Sequence, residues 1–160
     1  MAKSLRQRAP RPARVAPTAP GDSLEQQDAE GLTIGLLGEN LGVTLSKKRF
    51  ELPAGGWLEI DGYCESPRIL CEAWAHVGRT KSAQKFKVMS DAMKLLYAAS
   101  LGPHSEKRII VFADEEAASH FIGRSWMAQA LKAHGIEIQV VSLPEEIREK
   151  IRKAQERQYR

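Results

Sequence analysis

Two segments, residues 57–64 and 69–77, are separated by a break at Ser66-Pro67. In each segment, mainly small or aliphatic residues alternate with residues that include acids and aromatics. Successive side chains of a β-strand point to opposite faces of a sheet, so this period of two predicts an antiparallel hairpin. The predicted apolar face holds Leu58, Ile60, Gly62 and Cys64, then Ile69, Cys71, Ala73, Ala75 and Val77. The opposite face holds Trp57, Glu59, Asp61 and Tyr63, then Leu70, Glu72, Trp74 and His76. The rest of the chain therefore has to cover the apolar face.

Helices and further strands surround this hairpin in the sequence. Residues 48–52 precede it as a strand that ends at a proline and a glycine-rich turn, which completes a three-strand meander. Apolar periodicity predicts helices over 24–45 and 81–100. The C-terminal part predicts a strand at 108–113, a helix at 114–134, a strand at 136–142 and a charged helix from 144. This order predicts an α/β fold in which helices flank a mixed sheet.

Positive charge is concentrated at the N-terminus. The formal net charge is +4, but residues 1–20 hold five cations and no acid, so residues 21–160 carry −1. Proline, alanine and arginine dominate the first 22 residues, and such a segment cannot bury enough apolar surface to offset its ordering entropy. We therefore expect a disordered basic tail over 1–22 and a single domain over 23–160.

The cysteine count and the absence of long apolar runs bear on the compartment. Cys64 and Cys71 are too few for a disulfide framework in 160 residues, which favours a reducing compartment, the cytoplasm. No segment approaches about 18 apolar residues, so we expect no membrane partner. Prolines interrupt any secretory signal, whereas the arginines keep an organellar transit peptide as an alternative. The composition excludes collagen, coiled-coil, disulfide-scaffold and membrane proteins.

Two acids face each other if the hairpin turn is centred between Ser66 and Pro67. Opposed residue numbers then sum to 133, so Asp61 lies opposite Glu72, and Glu59 lies opposite Trp74. Carboxylates so placed repel and weaken the hairpin, and a divalent cation between them would reverse this cost. A solvated sheet face that merely tolerates the acids is the alternative.

A polar stripe follows on the helix over 81–100. Its members are spaced by three, four and three residues, which places them on one side of the helix. They are Gln84, Lys87, Asp91 and Lys94. The helix begins directly after the acid-bearing strand, so we expect Lys81, Gln84 and Lys87 near Glu72. An ordinary solvated helix face explains the same pattern.

These segments resemble a known family. The runs EIDG (59–62), ILCEAWAH (69–76), GRTKSAQ (78–84), KV (87–88) and DAMKL (91–95) look like the core of the PD-(D/E)XK nuclease superfamily. The resemblance implies a restriction-endonuclease-like fold over about 31–142, in which a three-strand meander and further strands form a mixed sheet. It implies that Glu39, Asp61 and Glu72 bind Mg²⁺ or Mn²⁺, that the metal activates water, and that DNA is the substrate.

The chain departs from this family at one position. The family places a lysine two residues after the second acid, where this sequence has Trp74. Some members supply that lysine from the following helix, and here Lys87 is the first choice and Lys81 the second, with Gln84 beside them. The resemblance thus implies a metal-dependent DNA endonuclease, or a catalytically degenerate relative that acts as a DNA-binding or protein-interaction subunit.

Two further points stay open at the level of sequence. A small doubly wound nucleotide-binding domain is a weaker alternative, because the glycines at 31, 35 and 38 precede the first strand and form no phosphate loop after one. A homodimer or a larger protein complex is compatible with the chain. DNA is also the partner expected for the basic tail and for residues 47–49.

Overall fold

In the computed structural model, the described residues 24–158 form a five-stranded mixed sheet flanked by five helices. The helices are α1 (Leu24–Leu41), α2 (Ser82–Ser100), α3 (Glu115–Ile122), α4 (Trp126–Ala133) and α5 (Glu145–Gln158). The strands are β1 (Ser46–Glu51), β2 (Trp57–Cys64), β3 (Ile69–Trp74), β4 (Lys107–Phe112) and β5 (Glu137–Val140). The predicted α/β class is confirmed, and the predicted tail over 1–22 lies outside the described residues.

The strands lie in the sheet in the order in which they occur in the chain. The pairs β1–β2 and β2–β3 are antiparallel, whereas β3–β4 and β4–β5 are parallel. Apolar side chains of α2, α3 and α4 pack on one face. Those of α1 and α5 pack on the other. This arrangement makes β3 the central strand.

β3 is buried on both of its faces, because helices cover it above and below and strands flank it on each side. All six of its residues are buried. Leu70 and Trp74 belong to the cluster beneath α2, and Cys71 and Ala73 belong to the cluster beneath α1. The prediction of one apolar and one polar face was wrong for this strand, since its polar-side residues also lie in the interior.

A β-bulge interrupts the alternation of β2. Ser46 pairs with Tyr63 and Lys48 with Ile60, so one residue of β1 opposes the two residues Asp61 and Gly62. Beyond the bulge the faces are exchanged, and Leu58 and Ile60 lie with Trp74 beneath α2 rather than with Cys64. The predicted face for these two residues was therefore wrong, and so was the opposition of Glu59 to Trp74.

Gly62 permits the close approach of α1 to this bulge. A Cβ atom at this position would lie 3.0 Å from Cδ1 of Ile34 and 3.3 Å from Cβ of Cys71. These distances are too short for an ordinary contact, so a side chain would push α1 away from the sheet. The bulge glycine therefore sets the distance between α1 and β2.

Two predicted helices have different limits in the structure. The helix predicted over 114–134 is divided into α3 and α4, because Gly123 ends the first and Ser125 caps the second by accepting a hydrogen bond from the Ala128 N–H at 3.0 Å. The helix predicted to reach residue 45 ends at Leu41. Gly42 follows it with a left-handed φ of 68°, the conformation that glycine adopts most readily.

Side chains from outside α2 fix both its last turn and its middle. The guanidinium of Arg68, just before β3, donates hydrogen bonds to the carbonyls of Ala98, Ala99 and Pro103. Four residues further along the chain, Glu72 of β3 contacts Lys94 of α2. These two attachments fix α2 along β3, so that Asp91 and Lys94 of the helix lie near Glu72 of the strand.

Candidate functional site

Four charged side chains from three elements converge beneath α2. Asp61 comes from the bulge of β2, Glu72 from the middle of β3, and Asp91 and Lys94 from α2. When all four are ionised they carry two net negative charges. This set is called the acidic cluster below.

The β2–β3 register brings Asp61 beside Glu72. The predicted register is confirmed by the pairs Gly62–Cys71, Tyr63–Leu70 and Cys64–Ile69, where the ladder ends. Beyond it, Oδ2 of Asp61 accepts a hydrogen bond of 3.0 Å from the backbone N–H of Ala73. The carboxylate thus takes the place of a strand–strand hydrogen bond and is oriented by β3.

Glu72 is buried, with only 3% of its side chain exposed. Burial, together with the nearby charge of Asp61, raises its pKa from 4.5 to about 9. Lys94 Nζ lies 2.8 Å from Oε1, and this contact lowers the pKa of Glu72, but burial and the charge of Asp61 outweigh it. The carboxyl group therefore has a cationic partner and still favours its neutral form.

Lys94 is the lysine that the structure brings to Glu72. Burial alone would lower its pKa, but the carboxylates of Glu72, Asp91 and Asp61 outweigh burial and raise it. Asp91 Oδ1 lies 4.0 Å from Nζ and supports the ammonium from the same helix. Lys94 consequently stays protonated at neutral pH.

The lysines preferred at the level of sequence lie elsewhere. Lys87 is exposed, and its Nζ lies 5.3 Å from the centroid of the Trp74 ring, a cation–π arrangement. Lys81 is exposed at the N-cap of α2. Gln84 Oε1 accepts a 2.8 Å hydrogen bond from the Lys81 backbone N–H and so helps to begin the helix. The lysine in contact with Glu72 is Lys94 instead.

Glu39 is not part of the acidic cluster. It is exposed near the end of α1, the helix on the opposite face of the sheet from α2. Within residues 24–158, no three or more His, Cys, Asp or Glu side chains are placed to hold a metal ion together. The trio Glu39, Asp61 and Glu72 that the family resemblance implies is thus not assembled.

Sequence reasoning missed Lys94 and Asp91 as members of the site. Both belonged to the predicted polar stripe of α2, so the stripe itself was the available signal. Which member of the stripe contacts Glu72 depends on which turn of α2 lies over the middle of β3. Tertiary packing sets that position, and the spacing of residues along the helix does not reveal it.

Other properties of the described residues give no independent indication of function. A cavity of about 570 Å³ is lined by residues of α3, α4 and β5 and by none of the acidic cluster. Between residues 24 and 158, no helix has the length and apolar character needed to cross a membrane. Comparison of the chain with protein-family models, curated proteins and solved structures gave no match.

The raised pKa of Glu72 predicts a pH-dependent stability. The folded protein retains a proton up to about pH 9 that the unfolded chain loses near pH 4.5. Glu72 therefore makes its full contribution to the free energy of unfolding below pH 4.5, and this contribution is lost as the pH rises toward 9. Between pH 5 and pH 9 we expect the free energy of unfolding of the wild type to fall, relative to Glu72→Gln, by at least about 1 kcal/mol.

Urea denaturation of both proteins at pH 5, 7 and 9 measures this difference. Glu65→Gln is the matched control, because Glu65 is exposed in the turn between β2 and β3. A constant difference between wild type and Glu72→Gln across this range would contradict the raised pKa.

Proposed function

We propose that the chain is a metal-dependent nuclease that hydrolyses DNA phosphodiester bonds, with Asp61 and Glu72 as metal ligands and Lys94 as the assisting lysine. The observation that carries the proposal is the buried carboxyl group of Glu72, which lies beside Asp61 and contacts a helix-borne lysine. The order α1, β1–β3, α2, β4 adds support, because it matches the core that the family resemblance implies.

The donor set of the acidic cluster is chemically suited to Mg²⁺ or Mn²⁺. Mg²⁺ prefers oxygen ligands and is commonly held by one or two carboxylates, with water and phosphate oxygens completing its shell. Asp61 and Glu72 supply two carboxyl groups from adjacent strands, close enough for the charge of Asp61 to raise the pKa of Glu72. A divalent cation would displace the proton that Glu72 retains up to about pH 9 and would then offset the negative charge of the ionised cluster. When bound, it would supply an activated water and neutralise phosphate charge.

Each remaining residue has a distinct role in this proposal. Lys94 Nζ donates to the substrate phosphate and stabilises the negative charge that develops there. Asp91 keeps Lys94 charged. The backbone N–H of Ala73 orients Asp61, and the buried ring of Trp74 excludes water from the side of the site that faces the core. Lys87, exposed above Trp74, is available to a second phosphate.

A catalytically degenerate protein that binds DNA or another protein is the second candidate. Two observations favour it: Trp74 stands where the family has its lysine, and Glu72 is 3% exposed. A substrate phosphate reaches such a carboxyl group only if neighbouring elements move. In this candidate the Glu72–Lys94 pair stabilises the fold, and the exposed surface binds the partner.

Purified protein incubated with supercoiled plasmid and with linear DNA tests the proposal. We expect cleavage with Mg²⁺ or Mn²⁺ and none with a chelator, and Asp61→Asn should lower the rate by about 10²-fold. Glu65→Gln is the control and should retain the wild-type rate. No cleavage by folded protein with either ion overturns the nuclease proposal, and retained DNA binding in that case selects the degenerate candidate. Cleavage that persists in the chelator overturns the assignment of a metal.

A further inference from the structure

The outer face of α2 carries a row of exposed residues that are alternately three and four positions apart. They are Ala83, Phe86, Ser90, Met93, Tyr97 and Ser100. Three of them are large and apolar: Phe86 is 64% exposed, Met93 66% and Tyr97 45%. We call these six residues the α2 seam. A 3–4 spacing over two and a half heptads is the pattern by which one helix packs along another.

The α2 seam is separate from the side of the helix that packs on the sheet. Val88, Ala92, Leu95 and Ala98 are buried on that side. A helix with apolar side chains on both sides is normally covered on both. No part of the chain between residues 24 and 158 covers the α2 seam, since its large side chains stay exposed.

We propose that the α2 seam binds the α2 seam of a second copy of this chain, in a parallel and symmetric dimer. In a parallel pair each seam residue meets its own counterpart across the twofold axis. Phe86, Met93 and Tyr97 then pack against their equivalents, and the small Ser90 lets the helices approach between them. No charged side chain lies within the α2 seam itself.

The charges beside the α2 seam favour the parallel arrangement. Lys87 and Lys94 lie along one margin, and the half-buried Met89 and Leu96 lie along the other. A parallel pair places the lysine margin of one copy against the aliphatic margin of its partner, where lysine stems pack well. An antiparallel pair would instead set one lysine margin against the other, so the exposed Lys87 would lose that aliphatic contact, whereas Lys94, whose Nζ lies 2.8 Å from Glu72, adds little repulsion.

The basic N-terminal tail is a poor occupant of the same surface. Residues 1–20 carry five positive charges and no acid, and the first turns of α2 carry the cations Lys85 and Lys87. Repulsion therefore opposes docking of the tail. The 3–4 spacing also matches a helical partner, and α2 of a second copy is one.

The size of the α2 seam implies a weak dimer. A helix of 19 residues is about 28 Å long, and each large seam residue exposes on the order of 100 Å². Two copies would thus bury less than the roughly 1,200 Å² typical of stable complexes. We expect a dissociation constant of about 1–100 µM. The dimer does not depend on the nuclease proposal.

Sedimentation equilibrium of the full chain from about 1 to 300 µM tests the dimer. We expect a monomer–dimer equilibrium, and Met93→Glu should raise the dissociation constant at least tenfold without changing the melting temperature of the monomer. Ile122→Glu is the matched control, because Ile122 is 61% exposed on α3 and lies outside the α2 seam. A monomer throughout this range overturns the proposal, as does equal weakening by the two variants.

Disulfide trapping tests the parallel arrangement. In a Cys64→Ser background, Ser90→Cys should form an inter-subunit disulfide on mild oxidation, because residue 90 meets its counterpart at the twofold axis. Ser82→Cys is the control, since Ser82 is exposed in the first turn of α2 but outside the α2 seam. Failure of Ser90→Cys to cross-link under conditions in which dimer is present overturns the parallel arrangement.

A variant lacking residues 1–22 tests whether the tail occupies the α2 seam. It should retain the wild-type dissociation constant, and a tighter dimer would identify the tail as the occupant of the α2 seam.

Discussion

Glu72→Gln is expected to lower kcat for Mg²⁺-dependent DNA cleavage by about 10³-fold or more. The substitution keeps the size of the side chain but removes the carboxylate that a divalent cation would generate by displacing the proton of Glu72. It also replaces a buried ionisable group by a neutral one, so we expect the folded state to persist at neutral pH. Loss of activity without loss of structure would then be an effect on the site alone.

Lys94→Met separates the role of the lysine from that of the acids. The aliphatic stem is retained, but Glu72 loses the ammonium 2.8 Å from its oxygen. We expect about 10²-fold lower kcat with little change in the Mg²⁺ concentration needed for half-maximal rate. Lys87→Met is the matched control on the same helix and should raise KM for DNA more than it lowers kcat.

Both expectations are measured by initial rates on a defined duplex, with Mg²⁺ varied at fixed DNA and DNA varied at fixed Mg²⁺. Circular dichroism of each variant establishes that it is folded. Cleavage by Glu72→Gln at more than a tenth of the wild-type rate would be incompatible with Glu72 as a metal ligand. A larger decrease in kcat for Lys87→Met than for Lys94→Met would identify Lys87 as the assisting lysine.

Trp74→Ala is expected to destabilise the protein by about 3–5 kcal/mol. Trp74 is 2% exposed within the cluster beneath α2, and His76 stacks on its ring with centroids 4.3 Å apart. Truncation would leave a large cavity below the acidic cluster. Trp74→Lys should be at least as destabilising, because it adds an ammonium to an apolar environment. Restoring the lysine of the family at this position would therefore not restore a working site.

Trp74→Phe distinguishes ring packing from the indole nitrogen. Nε1 of Trp74 is buried without a hydrogen-bond partner, so its removal costs no bond and relieves an unsatisfied donor. We expect this variant to lose less than half of the stability lost by Trp74→Ala. Urea denaturation measures all three variants, with Trp57→Ala as the control at an indole that is 55% exposed. Equal losses in Trp74→Ala and Trp57→Ala would show that Trp74 is not a core residue.

The order of the elements could be predicted from the sequence because it depends on local periodicity and turn residues. The limits of β2 and the register of the β2–β3 hairpin were confirmed, since a short turn fixes both. The bulge at Asp61 could not be seen in the same way. Its position depends on how β2 pairs with β1, and the apolar residues at 58 and 60 fit either face.

The candidate site was predictable only in part, for the same reason. The proximity of Asp61 and Glu72 follows from the hairpin register, whereas the contact of Lys94 with Glu72 depends on how α2 crosses the sheet. The separation of Glu39 from these acids also depends on tertiary structure, because α1 packs on the opposite face of the sheet from α2.

The two attachments of α2 to β3 have a consequence for motion. Arg68 and Glu72 tie the helix to the strand at two points, so we expect these two elements to move as one body. By contrast, the backbone pairing of β2 with β3 ends at Gly62, and beyond it the Asp61 carboxylate accepts a hydrogen bond from the Ala73 N–H of β3. A hinge that admits a DNA strand to Glu72 would therefore lie at the bulge, with the outer part of the β1–β2 hairpin as the swinging arm. Hydrogen exchange would be fast in that arm and slow in β3 and α2.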